Sequence, residues 1–260
     1  MAHFYLNEQL SDAVVGGAAS IVGTEARHAV TVGRTRVGEQ LAIGNGAGLI
    51  ATGAVVVADA TELVIEVETV ELTPPASPAI WLAQALAKGD RDELAIQAAT
   101  ELGADGVIPW AASRSVSRWE GAKIGKGHER WSAIVREASK QSVRAWLPEV
   151  GALVGTKQLA ALASTAQVIV LDPLASDSLS QFAPTFARTD IPDSLASTPE
   201  AERVRDVVLV VGPEGGIAPH ELELLYTAGA TGARLGDTIL RTSTAGPAAI
   251  AVLNAKLGRW

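Results

Sequence analysis

Cysteine is absent from the 260-residue chain, which excludes disulfides, thiolate nucleophiles and thiolate metal sites and fits a reducing compartment. Histidine is scarce: His3, His28, His128 and His220 lie far apart, and His220-Glu221 has no second histidine at the spacing of a zinc-protease helix. No metal is expected. No apolar run reaches the roughly 18 residues that span a bilayer, and the first residues show no basic stretch followed by an apolar one. The reading is a cytoplasmic protein without a membrane partner, whose chemistry must come from oxygen, nitrogen or a bound cofactor. Positive charge is also short. Lys and Arg number 21 against 29 Asp and Glu, a formal charge of −8, which weighs against nucleic acid as a partner because phosphate contacts normally come from a basic surface.

The distribution of charge changes that picture. Residues 106–150 carry eight cations against four acids, whereas 172–206 carry seven acids against three arginines, so much of the acidity lies in a segment that reads as a long insertion. Apolar residues make up 48% of the chain, enough for a packed core. Up to about Leu72 the chain reads as strands and turns, with runs at 41–43, 49–57 and 63–70, a hairpin signal at Asn45-Gly46 and one short helix from Glu25 capped by Thr24. A small β-barrel over 1–72 is the expectation. The proline-rich segment 73–78 cannot continue a ladder and reads as a linker. From 79 to 260 strands alternate with helices: strands at 79–85, 106–109, 168–171, 207–211 and 233–235, and helices at 90–102, 129–142, 219–228 and from about Thr244. This pattern predicts a parallel sheet covered by helices, an α/β domain.

The most informative segment runs from the apolar strand Val207–Val211 into Gly212-Pro213-Glu214-Gly215-Gly216-Ile217-Ala218-Pro219. Glycines there let backbone approach a ligand, Pro219 suits the first position of a helix, and the missing Lys-Ser/Thr excludes a Walker-type phosphate loop. An ordinary strand-to-helix turn accounts for the same residues. A second strand exit, Leu235-Gly236-Asp237-Thr238-Ile239-Leu240-Arg241-Thr242-Ser243-Thr244-Ala245, leads into the last helix, which Ser243 or Thr244 could cap and whose first turn Pro247 suits. Two glycine-bearing exits close in sequence favour a ligand, because open α/β sheets bind ligands beyond the carboxyl ends of their strands. Elsewhere, Gly44–Gly48 is flanked by strands on both sides and reads as a turn rather than a dinucleotide loop, and of six tryptophans only Trp119, beside Arg118, suggests stacking on a base.

These two exits resemble the paired cofactor loops of the 16S ribosomal RNA uridine-N3 methyltransferase family within the SPOUT superfamily. Blocks at 87–91, 99–104, 113–116 and 137–144 are similar to that family's in the same order, and Glu25–Val30 with Val32–Glu39 resembles its PUA-like RNA-binding barrel more loosely. Arg27 stands where a second histidine is frequent, Gly33 where leucine is usual, and Ser243 where many members carry glutamate.

The resemblance implies a SPOUT-type parallel sheet with a C-terminal trefoil knot, preceded by the PUA-like β-barrel. It implies S-adenosylmethionine as cofactor, a homodimer, and N3 of one uridine in 16S rRNA, within the 30S subunit, as target. Two alternatives are a SPOUT enzyme with another RNA target and a non-catalytic RNA-binding or ribosome-assembly module. The implied cofactor residues are Leu171, Gly212, Pro213, Glu214, Gly215, Gly216, Leu235, Gly236, Ile239, Leu240, Thr242, Thr244 and Ala245. Arg241 is the candidate for favouring the uridine anion, and Glu214 for accepting its proton or orienting the loop. Candidate RNA contacts are Arg27, His28, Arg34, Arg36, Lys88, Arg114, Ser115, Gln141 and Arg144, while Arg136 and Lys140 could also hold phosphates or form a solvated helix face.

Overall fold

The computed structural model describes residues 3–184 and 205–260. The chain forms two compact units, Met1–Pro75 with Arg136–Leu147, and Ala76–Val135 with Pro148–Trp260.

The first unit contains β1 (His3–Leu6), β2 (Ala18–Val22), α1 (Gly23–Arg27), β3 (Gln40–Gly44), β4 (Leu49–Ala58) and β5 (Glu62–Leu72). They form a curled sheet in the order β1-β3-β4-β5-β2, antiparallel except for the β1–β3 pair. Strand β4 alternates buried and partly exposed residues along its first half, the signature of a sheet with one face on a core, and two register shifts against β5 bend it. Ile21, Leu41, Ile43, Leu63 and Ile65 fill that core. Asn45 closes the expected hairpin: its Oδ1 accepts the Ala47 N–H at 2.7 Å and the Leu49 N–H at 3.0 Å. Thr24 is not a cap. It lies inside α1, which begins at Gly23, where the chain leaves β2 with φ of +63° and donates the Gly23 N–H to the Thr61 carbonyl.

Segment Arg136–Leu147 belongs to this unit through charge. Lys140, 5% exposed at its side chain, places Nζ 3.3 Å from Glu25 and 3.1 Å from Glu137, and Arg136 pairs with Glu8 and Glu25. Both cations already face carboxylates, and Lys140 is buried. Both are consumed by carboxylates of the same unit, which a charge pattern along one helix cannot reveal.

The second unit holds β6 (Ile80–Ala85), α2 (Arg91–Glu101), β7 (Gly106–Trp110), the start of α3 (Ala122–Gln141), β8 (Glu149–Val150), α4 (Thr156–Ala161), β9 (Gln167–Leu171), β10 (Val207–Val211), α5 (Pro219–Thr227), β11 (Thr231–Ala233) and α6 (Thr242–Lys256). Its six-stranded sheet is parallel throughout, in the order β11-β9-β10-β6-β7-β8. Every residue of β7 and β10 is buried, as a sheet covered on both faces requires. Ala83, Val208 and Val210 face Leu159 of α4 and Leu225 of α5. On the opposite face α2 packs against α6, and a Cβ at Gly246 would come within 2.8 Å of Leu82.

Several boundaries differ from the sequence expectation. Helix α3 starts at Ala122 rather than 129, and within it Gly127 gives room to the Trp119 ring, where a Cβ would sit 2.4 Å from it. Trp119 also meets Trp131 edge-on at 5.2 Å, so it packs on the helix instead of offering a free stacking face. Strand β11 lies two residues before the expected position, and α6 begins at Thr242 with Arg241 as N-cap, so neither Ser243 nor Thr244 caps it and Pro247 falls beyond the first turn. Of the long acidic segment, 172–184 is folded, with Leu179 buried. Residues 185–204, within the insertion read at 172–206, lie outside the described residues.

Lys140 is one of two cations on the half-buried Glu25, and Lys140→Ala should cost about 2 kcal/mol in urea unfolding. Arg130→Ala, which loses an exposed pair with Glu93, should leave the midpoint unchanged. Equal midpoints for the two variants would refute the buried pair's role.

Candidate active site

The carboxyl ends of β9, β10 and β11 open on one side of the sheet, and the loops leaving them enclose a cavity of about 760 Å³. Leu171, Gly212, Pro213, Glu214, Gly216, Leu235, Gly236, Ile239, Leu240, Thr242 and Ala245 line it, and Arg241 lies at its edge among them. Two expected members do not reach the lining. Gly215 turns its carbonyl to Arg114, which donates at 3.1 Å, and Thr244 is exposed in the first turn of α6. Residues absent from the sequence-based set also line the cavity: Arg91, Asp172, Leu174, Ile217 and Arg234 among them.

Three hydrogen-bond systems shape this cavity. In the first, Glu214 accepts the Lys88 N–H at 3.1 Å and an Arg91 N–H at 3.0 Å, tying the glycine turn to the loop after β6. Burial raises the Glu214 pKa, but these bonds and its own N–H outweigh burial and hold it below the usual carboxylate value.

The second centres on Glu221, buried to 1% exposure. One oxygen accepts the Ser113 N–H at 2.9 Å and the Thr156 hydroxyl at 2.7 Å; the other accepts the Ser113 hydroxyl at 2.8 Å and the Ala218 N–H at 3.2 Å. Burial again pushes its pKa up, and the hydrogen bonds overcome it and bring the group below 4.5. Glu221 is the third residue of α5, the spacing at which an acidic side chain returns to the N-cap N–H, so the sequence did carry a signal for it.

In the third, the Gln84 amide donates to Thr242 Oγ1 at 2.8 Å, and the Thr242 hydroxyl donates to the Gly212 carbonyl at 2.8 Å. At the rim, Tyr226 donates to Asp172 at 3.1 Å; burial, then that bond and the carboxylate's charge, push its pKa up to about 12.

The expected RNA contacts divide between the units. Arg27, His28, Arg34, Arg36 and Gln141 are exposed in the first unit, where Arg144 is partly buried; Lys88 and Arg114 are exposed in the second, beside the cavity's loops. Ser115 is buried. Among the described residues no cluster of three or more metal-ligating side chains occurs, and no helix is long and apolar enough to cross a membrane.

A family model of the RNA methyltransferase domain matches residues 75–254, and one of the RNA methyltransferase PUA domain matches 22–68, so the fold and its crevice are those of an RNA methyltransferase. The chain is 40% identical over 250 residues to Ribosomal RNA small subunit methyltransferase E of Mycobacterium bovis, covering 94% of this chain and 89% of the relative. A methyltransferase from Legionella pneumophila solved with bound S-adenosylmethionine is 26% identical with a TM-score of 0.80, covering 98% of each chain. The Neisseria gonorrhoeae methyltransferase E structure shares the fold at a TM-score of 0.81 and 24% identity, over 98% of each chain. The chain belongs to the ribosomal RNA small subunit methyltransferase E family.

The four donors around Glu221 make its charge a source of stability with a defined pH dependence. Its folded pKa is lowered, so the contribution is complete above about 4.5 and is lost as pH falls through the folded value. Glu221→Gln should cost about 2 kcal/mol at pH 7. The gap from wild type should close as the pH of urea unfolding is lowered below 4; a gap independent of pH would show that the group is not ionised in the fold.

Proposed function

We propose that this chain transfers a methyl group from S-adenosylmethionine to N3 of a uridine in 16S rRNA, and that the cavity at the strand exits holds the cofactor. The observation that carries the reading is the cavity itself. Its volume of about 760 Å³ suits a ligand of that size, and its walls combine glycine-bearing turns and aliphatic side chains with charged groups such as Glu214 and Arg241. Gly216, at φ of +70°, turns the backbone where no side chain intrudes within 4 Å of a Cβ position. Gly212, Gly216, Leu235, Gly236 and Leu240 would hold the cofactor largely through backbone groups and apolar contact.

The bound cofactor supplies an electrophilic methyl group, so the chain's own work is to orient the base, exclude water and favour loss of the N3 proton. Among the described lining residues, Arg91 and Arg234 each face a carboxylate, whereas Arg241 has none. A fixed cation there stabilises the uridine anion more in the transition state than in the bound ground state. Glu214, held ionised by Arg91 and the Lys88 N–H, fits loop orientation better than proton acceptance.

Arg27, His28, Arg34 and Arg36 of a PUA-like front domain, with Lys88, Arg114, Gln141 and Arg144, would contact phosphates and position an assembled 30S subunit. A second copy of the chain would cover Leu174 and Ile239, which stand 92% and 82% exposed at the cavity rim.

Two variants test the reading. Gly216→Val forces a β-branched residue into a left-handed backbone conformation and should abolish S-adenosylmethionine binding in titration calorimetry; unchanged affinity would remove the cofactor assignment. Arg241→Ala should slow single-turnover methylation of 30S subunits at least tenfold with cofactor affinity within about twofold. Mass mapping of the methylated nucleotide identifies the product, and a wild-type rate in Arg241→Ala would sink the catalytic role.

A further inference from the structure

We propose that Gln84 is a positioning residue for the cavity: its side-chain amide directs a two-bond relay that holds the Gly212 turn and the start of α6 in the shape that receives the cofactor. This rests on reading the cavity as the S-adenosylmethionine site.

Gln84 is fully buried on β6, in the otherwise apolar run Ile80-Trp81-Leu82-Ala83-Gln84-Ala85-Leu86, and does not line the cavity. Its Nε2 donates to Thr242 Oγ1 at 2.8 Å and to the Ala85 carbonyl at 3.1 Å. The single hydroxyl hydrogen of Thr242 then goes to the Gly212 carbonyl at 2.8 Å. Both end points are carbonyl oxygens, which only accept, so the amide must present its nitrogen to Thr242 and the direction of the relay is determined. Gly212 and Thr242 both line the cavity. The relay therefore joins three strand or helix ends from distant parts of the sequence beside the cavity. It also commits the Thr242 hydrogen internally, so that hydroxyl acts on the cofactor through Gly212 and not as a donor to it.

The arrangement carries a stability cost. Gln84 Oε1 is buried without a hydrogen-bond partner, and an apolar residue of the same length would remove that penalty. An amide that weakens the core while shaping the cavity is placed for binding, and this separates the proposal from a purely structural role. Gln84→Met should unfold at the same temperature as wild type or higher, yet bind S-adenosylmethionine about tenfold more weakly.

The experiment uses the full chain. Calorimetry with S-adenosylmethionine, thermal unfolding and amide hydrogen exchange are measured on wild type, Gln84→Met, Thr242→Val, Thr242→Ser and the Gln84→Met/Thr242→Val double variant. Affinity should fall in the first two substitutions, recover largely in Thr242→Ser relative to Thr242→Val, and fall no further in the double variant, because both singles break one relay. At saturating cofactor the single-turnover rate of Gln84→Met should stay near wild type while KM for the cofactor rises. Ligand-free amides of 212–217 should exchange about tenfold faster in Gln84→Met, with those of α2 unchanged. Wild-type affinity in Gln84→Met, or losses that multiply in the double variant, would overturn the relay. If wild type itself does not bind the cofactor, the site reading fails separately, and unchanged exchange at 212–217 then overturns the relay on its own. Should Gln84→Met not fold, equal affinities for Thr242→Val and Thr242→Ser overturn it.

Discussion

A carboxylate removed from water stays ionised only where donors replace the solvent, and Glu221 meets that requirement with two backbone N–H groups and two hydroxyls. The donors come from the loop after β7, the start of α4 and the residue before α5. Satisfying one charge thus fixes three segments, one of which ends the glycine turn that lines the cavity. Glu214 repeats the principle nearer the surface, drawing the loop after β6 toward the same turn through Lys88 and Arg91. The cavity has its shape because acidic side chains are spent inside the protein as acceptors.

That expenditure explains how a chain of formal charge −8 can still present exposed cations around the cavity. Asp105 takes the Ile80 N–H and faces Arg259, Asp92 takes the Ala87 and Glu93 N–H groups, and Glu214 and Glu221 serve the cavity loops. Net charge counts these acids at full weight, although their fields are compensated within a few ångströms. Lys88, Arg114 and Arg241 remain exposed beside or at the cavity. The same accounting removes cations from the surface, since Arg136 and Lys140 are neutralised by Glu8, Glu25 and Glu137. Binding potential follows from where charges are unpaired, not from their sum.

Much of this was legible in the sequence. The apolar runs at 207–211 and 168–171 could only be buried strands, and the glycine-bearing exits at 212–216 and 235–236 do converge on one cavity. Pro219 opens α5 as its locked φ suggested. Most of the failures concern partners distant in sequence. Gln84 meets Thr242 across 158 positions and Arg91 meets Glu214 across 123, so no local pattern marks them. Trp119 looked free because nothing in its own neighbourhood marks Gly127 as the residue that receives its ring. On sequence alone Lys140 could hold a phosphate or lie on a solvated face, because the periodicity of α3 says nothing of Glu25.

The two-residue displacement of the α6 start has an electrostatic consequence. Because Thr242 is held by Gly212 and Gln84, the helix begins there and Arg241 becomes its N-cap, the point where the unpaired N–H groups of the first turn concentrate positive potential. The guanidinium charge and the helix terminus therefore act in the same region of the cavity mouth. No acidic residue stands in the first turn of α6 to oppose them, and position 243 is a neutral serine. In the reaction proposed above, a uridine losing its N3 proton would gain negative charge, and both contributions would favour that anion without any movement of the protein. On this reading a neutral residue at 243 leaves that field unopposed within the first turn, so its strength depends on Arg241 and the helix terminus alone.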